Sequence, residues 1–252
     1  MNPQRHATTR IRHELRRRTL TVSSTELLTP RTRRFGFTSP DLYDFVSAAH
    51  DDHIKLFFPA TEGDAGETAM RDFTPRQFDK SQGTLTIDFA LHEAGPATRW
   101  ATSAQIGDTL QIGGPRGSIV VPDDFDWYLL VGDETALPAI GRRVEELRAG
   151  VPVTTVVLAE AGEIHDFQTK AIWTPHWVAR DGTSDDASLL RMALANYTLP
   201  SGEGFVWIAA EASVARSVRS HVVEDLNHPR QWTKAAGYWK RGHSEIHEKI
   251  ED

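Results

Sequence analysis

A chain of 252 residues, 39% hydrophobic and 25% charged, has the composition of a folded globular protein and length for one large or two modest domains. It contains no cysteine, which excludes disulfides, thiolate zinc sites, cysteine nucleophiles and cysteine-ligated iron–sulfur clusters, so any redox chemistry needs a bound organic cofactor. No apolar run reaches the roughly 18–20 residues that span a bilayer, the N-terminal MNPQRHATTRIRHELRRR has no apolar signal block, and a net charge of −7 argues against nucleic acid; the chain reads as a cytoplasmic monomer with no membrane or nucleic-acid partner.

Arginines crowd the start: Arg10, Arg12, Arg16, Arg17, Arg18, Arg31, Arg33 and Arg34. They form either a basic arm or the solvent faces of a frayed N-terminus and the first two strands. From Leu15 to Gly117 short runs alternate with turn signals, in RRTLTVSSTELL, TRRFGFTS, DHIKLFFP, GTLTIDFALH and TLQIGGPRG, which predicts an antiparallel barrel or sandwich. In TLTIDFALH the period of two puts Leu85, Ile87, Phe89 and Leu91 on the buried face and Thr86, Asp88 and His92 off it. TEGDAGETAM, residues 61–70, is small and acidic and reads as an exposed loop. AGPATRWATSAQIG then interrupts the strands with a helix opened by Gly95 and Pro96.

Beyond Pro122 the rhythm becomes strand, helix, strand: DWYLLVG, ALPAIGRRVEELRA, VPVTTVVLAE, GFVWIAAE and ASVARSVRSHVVEDL. The nearly continuous apolar runs around Val131, Val153, Val156 and Val157 and over Phe205 to Ile208 predict parallel strands covered on both faces. Val214, Val218, His221 and Val222 recur at three and four residues, so the last helix should lay one face on that sheet. The expected architecture is a β-barrel plus α/β arrangement. An antiparallel barrel occupies residues 1–124, a Rossmann-like nucleotide-binding domain residues 125–236, and a tail residues 237–252. No internal repeat is present. This order suggests a prosthetic group at the junction and a soluble electron donor approaching the second domain.

Residues 71–76, RDFTPR, place an aromatic and a hydroxyl between two arginines. Such a stretch fits a solvated strand edge. It equally supplies what a flavin dinucleotide needs: a guanidinium for pyrophosphate, a ring to lie against a flat heterocycle, and a hydroxyl for a ring nitrogen. RxFTxR resembles the R-x-[YF]-[TS] flavin motif of the ferredoxin reductase superfamily, and DFALHEAGPATRWA is similar to the D-F-x-x-H-x-x-x-GPA-x-x-WA segment of siderophore-interacting proteins, which are flavin-dependent ferric-siderophore reductases. The similarity continues, in order, through GGPRGS (Gly113 to Ser118), VGDETALPAI (Val131 to Ile140), EASVARSVRSHV and GYWKRG (Gly237 to Gly242).

The resemblance implies a ferredoxin-NADP reductase-like fold whose barrel binds FAD through Arg71, Phe73 and Thr74, with Phe73 against the isoalloxazine and Thr74 near its N5 edge. Phe73 stands where the family often has Tyr, so stacking is kept and a phenolic hydrogen bond is lost. It further implies that Asp88, Phe89 and His92 lie close to the flavin or its adenosine side. Gly95, Pro96, Ala97, Thr98 and Trp100 would form a loop and helix start whose N–H groups receive pyrophosphate oxygens. Arg76 serves either the FAD phosphates or only the solvent.

GDETALPAI follows an apolar strand and opens a helix, where a nucleotide domain presents its first crevice, yet it is not GxGxxG. By resemblance Gly132, Thr135, Ala136 and Pro138 line the place where nicotinamide meets flavin, while Asp133 and Glu134 read as helix caps. Glu160 ends the second α/β strand and is placed to accept the ribose hydroxyls of NADH, with no arginine directly after it to hold a 2′-phosphate. NADH, NADPH and a small ferredoxin-like protein all serve as donors in the family. Ala210 replaces the glycine of the family's A-G-E, which narrows the approach of nicotinamide.

For the ferric siderophore the resemblance points to Lys55, Arg116, Lys240 and Arg241, although Lys55 also fits an ordinary strand lysine. Tyr238 and Trp239 either cover the flavin or substrate or dock the tail. The flavin carries the electron chemistry, so no acid–base catalyst is expected. His243 and His247, four apart with no third ligand nearby, read as a solvated tail helix rather than a metal site. The expected activity is FAD-dependent reduction of a ferric siderophore, with release of ferrous iron and electrons from NAD(P)H or a redox protein. The alternatives are a general flavin or ferric-chelate reductase and a siderophore-binding flavoprotein without turnover.

Overall fold

Alternating apolar residues build the first half of the chain into strands that bury one face. The computed structural model describes residues 5–59, 68–91, 95–242 and 248–250. Its elements begin with β1 (Thr9–Arg12), β2 (Arg17–Thr29), β3 (Thr32–Thr38), β4 (Ile54–Phe58), β5 (Ala69–Phe73), β6 (Gln77–Asp79), β7 (Thr84–Ala90), α1 (Pro96–Ser103), β8 (Thr109–Gly113) and β9 (Gly117–Val120). Among the described residues a seven-stranded antiparallel sheet runs β5-β4-β8-β2-β3-β7-β6, and β1 pairs with β9 beside it. Ile54, Leu56 and Phe58 of β4, Phe35 and Phe37 of β3, and Leu85, Ile87 and Phe89 of β7 all point into one core. The acidic stretch expected as a loop over 61–70 gives its last two residues, Ala69 and Met70, to β5, and its residues 61–67 lie outside the described ones.

The early arginines are only in part a solvent face. Arg18 is buried, donating to the carbonyls of Asp41 and Gly114 and pairing with Asp44 at 2.9 Å. Arg33 donates to Ala101 O at 2.8 Å, tying β3 to α1. Arg10 and Arg12 on fully exposed β1, together with the exposed Arg17 and Arg31, match the solvated reading.

The second half supplies β10 (Trp127–Asp133), α2 (Leu137–Glu146), β11 (Pro152–Ala159), β12 (Ile172–Ala179), α3 (Asp186–Ala195), β13 (Gly204–Glu211), α4 (Ala212–Ser220), β14 (Thr233–Trp239) and β15 (Glu248–Lys249). The sheet order is β12-β11-β10-β13-β14-β15; the first five are parallel, and β15 joins antiparallel. Every residue of β10 and β13 is buried, as the continuous apolar runs require. Val214, Val218 and Val222 keep α4 and the wider turn after it on the sheet, with Leu226 N–H reaching His221 O at 3.0 Å. Gly132 is obligatory at the end of β10, since a Cβ there would lie 2.6 Å from Ala136 Cβ and 2.7 Å from Ala209 O.

The chain divides into two compact units, Ala7–Pro122 and Asp123 onward. Arg5 and His6 belong to the second: the His6 ring stacks on Phe125 at 3.7 Å and meets Asp124 at 2.6 Å. The sequence reading had placed them in the barrel. β14 also carries the second sheet across residue 237, where that reading began the tail.

Candidate flavin and ferric-chelate site

The RDFTPR stretch is the end of β5 and the chain just beyond it. Its register with β4 pairs Phe73 with Ile54, Asp72 with Lys55 and Arg71 with Leu56. Alternation then sends Arg71 and Phe73 to one face of the sheet and Asp72 to the other, where it takes the Lys55 ammonium at 3.0 Å. Phe73 is half-buried, its ring 4.5 Å from Phe89 and 6.2 Å from Phe58. Arg71 is half-buried and donates to Met70 O at 2.6 Å, and Thr74 is buried.

Helix α1 starts at Pro96 behind Gly95, which has no side chain to cap the first turn; Arg99 N–H returns to Gly95 O at 2.9 Å. Ala97 and Thr98 are half-buried at that start. Trp100 lies 5.5 Å from Phe89, 6.1 Å from Phe58 and 5.1 Å from Phe35. The two motifs, separate in sequence, thus rest on the same Phe58 and Phe89 rings. This donor set fits FAD. A guanidinium and an uncapped helix start suit its phosphates, and a half-buried aromatic on a packed floor suits its ring.

Several expected contacts have other partners. Asp88, assigned off the core, is 7% exposed because Arg34 grips both its oxygens at 2.6 and 2.7 Å and Arg76 Nε stands 3.8 Å away. Arg76 itself is 6% exposed and bonds Thr86 O through its backbone, so it does not face solvent; its side chain meets Asp88. Phe89, 1% exposed, is the floor beneath the site rather than a surface of it. His92 lies outside the described residues. Lys55 and Arg116 line one cavity of about 230 Å³ on the barrel unit.

In the α/β unit the strand order reverses between β10 and β13, where open sheets of this kind present their ligand crevice. Asp133 sits there, buried, and accepts from Thr135 N–H at 3.0 Å, Glu211 N–H at 3.0 Å and Trp239 Nε1 at 2.8 Å. Burial raises its carboxyl above the ordinary range, the Glu134 charge adds to this, and the Thr135 and Trp239 donors oppose it. Asp133 caps the short 3-10 turn Glu134–Ala136, whereas α2 itself starts behind Ala136 with no side-chain cap. Glu134 does not cap, because its oxygens take the Arg180 guanidinium at 2.9 and 3.2 Å. Arg180 also reaches Asp186 at 3.1 Å and Glu160 at 3.7 Å. Sequence reasoning found no arginine beside Glu160 because Arg180 arrives from the end of β12, set there by the parallel register of Ala179 with Ala159.

Gly132 and Ala136 are buried against each other, whereas Thr135 and Pro138 stay half-buried at the helix start. Trp239 bonds Asp133, and Tyr238 packs edge-on to Trp207 at 5.9 Å, so within this unit both dock the end of β14. Lys240 is half-buried, and Arg241, exposed, donates its N–H to Glu211 at 3.4 Å. His243 and His247 lie outside the described residues, among which no cluster of three His, Cys, Asp or Glu is arranged for a metal. None of the described helices is long and apolar enough to cross a membrane.

Comparison with known proteins gives a consistent result. Residues 125–242 match the siderophore-interacting protein family, and residues 21–68 and 64–119 match the siderophore-interacting FAD-binding domain. The chain is 33% identical over 249 residues to an NADPH-dependent ferric-chelate reductase of Escherichia coli K12, covering 91% of this chain and 95% of that one. It is 29% identical to a ferric vibriobactin reductase of Vibrio cholerae, covering 84% and 85%. The crystal structure of a siderophore utilization protein from T. fusca superposes with TM-score 0.88 at 34% identity, over 95% of this chain and 98% of that one. The fold is ferredoxin reductase-like, shared at TM-score 0.62 and 15% identity with the ferredoxin reductase of carbazole 1,9a-dioxygenase, over 88% of this chain and 69% of that one.

Proposed function

Because this chain belongs to the siderophore-interacting protein family, we propose that it is an FAD-dependent reductase of ferric siderophores, acting in the cytoplasm to release ferrous iron. The observation that carries the reading is the meeting of Phe73 and Trp100 on Phe58 and Phe89, which joins the two FAD motifs into one wall.

FAD, when bound, supplies the conversion of a two-electron donor into one-electron reduction of ferric iron. The side chains hold and orient. Arg71 and the N–H groups at the start of α1 take the phosphates, Phe73 lies against the ring, and Thr74 addresses its edge. Lys55, Arg116, Lys240 and Arg241 attract the anionic chelate. In this reading no side chain is assigned to take up or give a proton. Ferrous iron leaves because it is the less charged guest for hard oxygen ligands. The electron donor is NAD(P)H or a small redox protein. Glu160 and Arg180 together form the place where a nucleotide's 2′ position would be read, and the ratio of KM values for NADH and NADPH in Glu160→Gln measures it.

The test is the absorption spectrum of the purified protein followed by anaerobic mixing of the photoreduced protein with a ferric siderophore. Flavin bands and rapid reoxidation are expected. A colourless protein that refuses added FAD refutes the reading, and a flavin that stays reduced makes the protein a binder only.

A further inference from the structure

We propose that His6 is a pH-sensitive clasp: doubly protonated, its ring holds the segment before β1 on the second unit, and as pH rises and the ring loses a proton that segment comes free. The chain passes between the two units at residues 6–7 as well as at 122–123, because Arg5 and His6 belong to the second unit while β1 pairs with β9 in the first. Only Ala7 and Thr8 separate the clasp from the strand.

The His6 side chain is 3% exposed. Its ring stacks on Phe125, with centroids 3.7 Å apart and 11° between the planes, and meets Trp232 edge-on at 5.3 Å. Nδ1 stands 2.6 Å from Asp124 Oδ1 and Nε2 3.1 Å from Glu203 Oε2, while the His6 backbone N–H donates to Asp124 Oδ2 at 3.1 Å. A neutral imidazole has one donor and one acceptor nitrogen, and a carboxylate only accepts, so the ring satisfies both partners only as imidazolium. With one proton gone, a buried nitrogen lone pair faces a carboxylate oxygen, and that contact turns from attractive to repulsive.

The charged groups around the ring place the pH response on His6. Asp124 and Asp126 come from the segment before β10, Glu203 from the segment before β13, and Arg5 from the residue beside it. Asp123 is taken by Arg148 at 2.8 Å, and Arg230 stands two residues before Trp232. Arg5 reaches Glu203 at 2.6 Å and Asp126 at 2.9 Å, yet its side chain is 44% exposed, and pairs in such a setting hold weakly. Three carboxylates thus meet one arginine, a surplus that the imidazolium charge reduces. The backbone adds a bias toward release. His6 has φ +67°, a left-handed conformation that a residue other than glycine keeps only where its contacts hold it.

The test is hydrogen–deuterium exchange of the full chain, corrected for intrinsic exchange and read on peptides covering residues 5–12, at about pH 6 and about pH 9. In wild type, protection of these peptides is expected to fall about tenfold between the two pH values, while peptides from β10 keep theirs. His6→Gln, which cannot carry the charge, should show the low protection at both, with far-UV circular dichroism unchanged to exclude global unfolding. In Glu203→Gln the amide can donate to an unprotonated Nε2, so protection should persist at pH 9. Equal protection of wild type at the two pH values overturns the clasp. So does a His6→Gln variant that keeps the wild-type response, or a Glu203→Gln variant that loses protection as wild type does.

Discussion

Asp88 occupies a strand position that alternation gives to solvent, and it is buried because two arginines come to it from β3 and from the turn after β5. A carboxylate that far from water is stable only while its partners remain, and the same holds for Arg76, itself 6% exposed. Asp88→Asn should therefore lower unfolding stability by about 2–4 kcal/mol, read from urea denaturation; a loss within experimental error would show the cluster to be dispensable. His228 is a second buried polar residue, with Nε2 3.1 Å from Gly204 O and Nδ1 2.8 Å from Thr233 Oγ1. Burial lowers its pKa below the ordinary 6.5, and the Gly204 carbonyl opposes this only in part. The unfolded chain then takes up the proton first, so the stability is present above pH 6.5 and is lost as pH falls from there toward the folded value. His228→Gln should flatten that stretch of the profile of Tm against pH. A profile identical to wild type would assign the pH dependence to other groups.

At the scale of elements, the β4–β5 hairpin and α1 act as one device because Phe73 and Trp100 share Phe58 and Phe89 as a floor. Phe73→Ala removes the ring face, and Trp100→Ala loosens the support of the helix start. Each should weaken FAD binding about tenfold in titrations of apoprotein. The double variant should lose less than the product of the two, since both act through the same packed rings. Strict additivity would mean that the motifs work independently. The crest of the parallel sheet is a different kind of device, in which the ends of β10, β13 and β14 are stitched by Asp133 and Glu211. Glu211 accepts from Ser213 N–H at 2.7 Å and Val214 N–H at 3.2 Å; against burial, these donors hold its carboxyl below the ordinary range. The end of β14 is thereby fixed to β10 and β13.

Over the whole molecule the net charge is −7, yet the cavity on the barrel unit is lined by Arg16, Arg17, Lys55 and Arg116 with Asp72 as its one carboxylate. If an anionic ferric chelate is drawn to that cavity, as proposed, salt screens the attraction, with a Debye length of about 10 Å at 0.1 M. KM for the chelate should rise severalfold between about 10 and 200 mM KCl while kcat changes little. Steady-state kinetics over a salt series checks this, and a flat KM would remove electrostatic attraction from the account.

Much was legible before any coordinates. A period of two marked β4 and β7, unbroken apolar runs marked β10, β11 and β13, and motifs in series pointed to the family and to FAD. These signals are local, because each strand or loop needs its own residue types at its own spacing. What sequence alone did not reveal are the elements with weak patterns. β12 is a mostly exposed edge strand carrying Pro175, and β14 is built around the small residues Ala235, Ala236 and Gly237. Nor could it pair Arg76 with Asp88, Arg180 with Glu134, or His6 with Glu203, since each partner arrives from another strand or turn. Periodicity determines which face a residue takes, and only the register of neighbouring strands decides what it meets there.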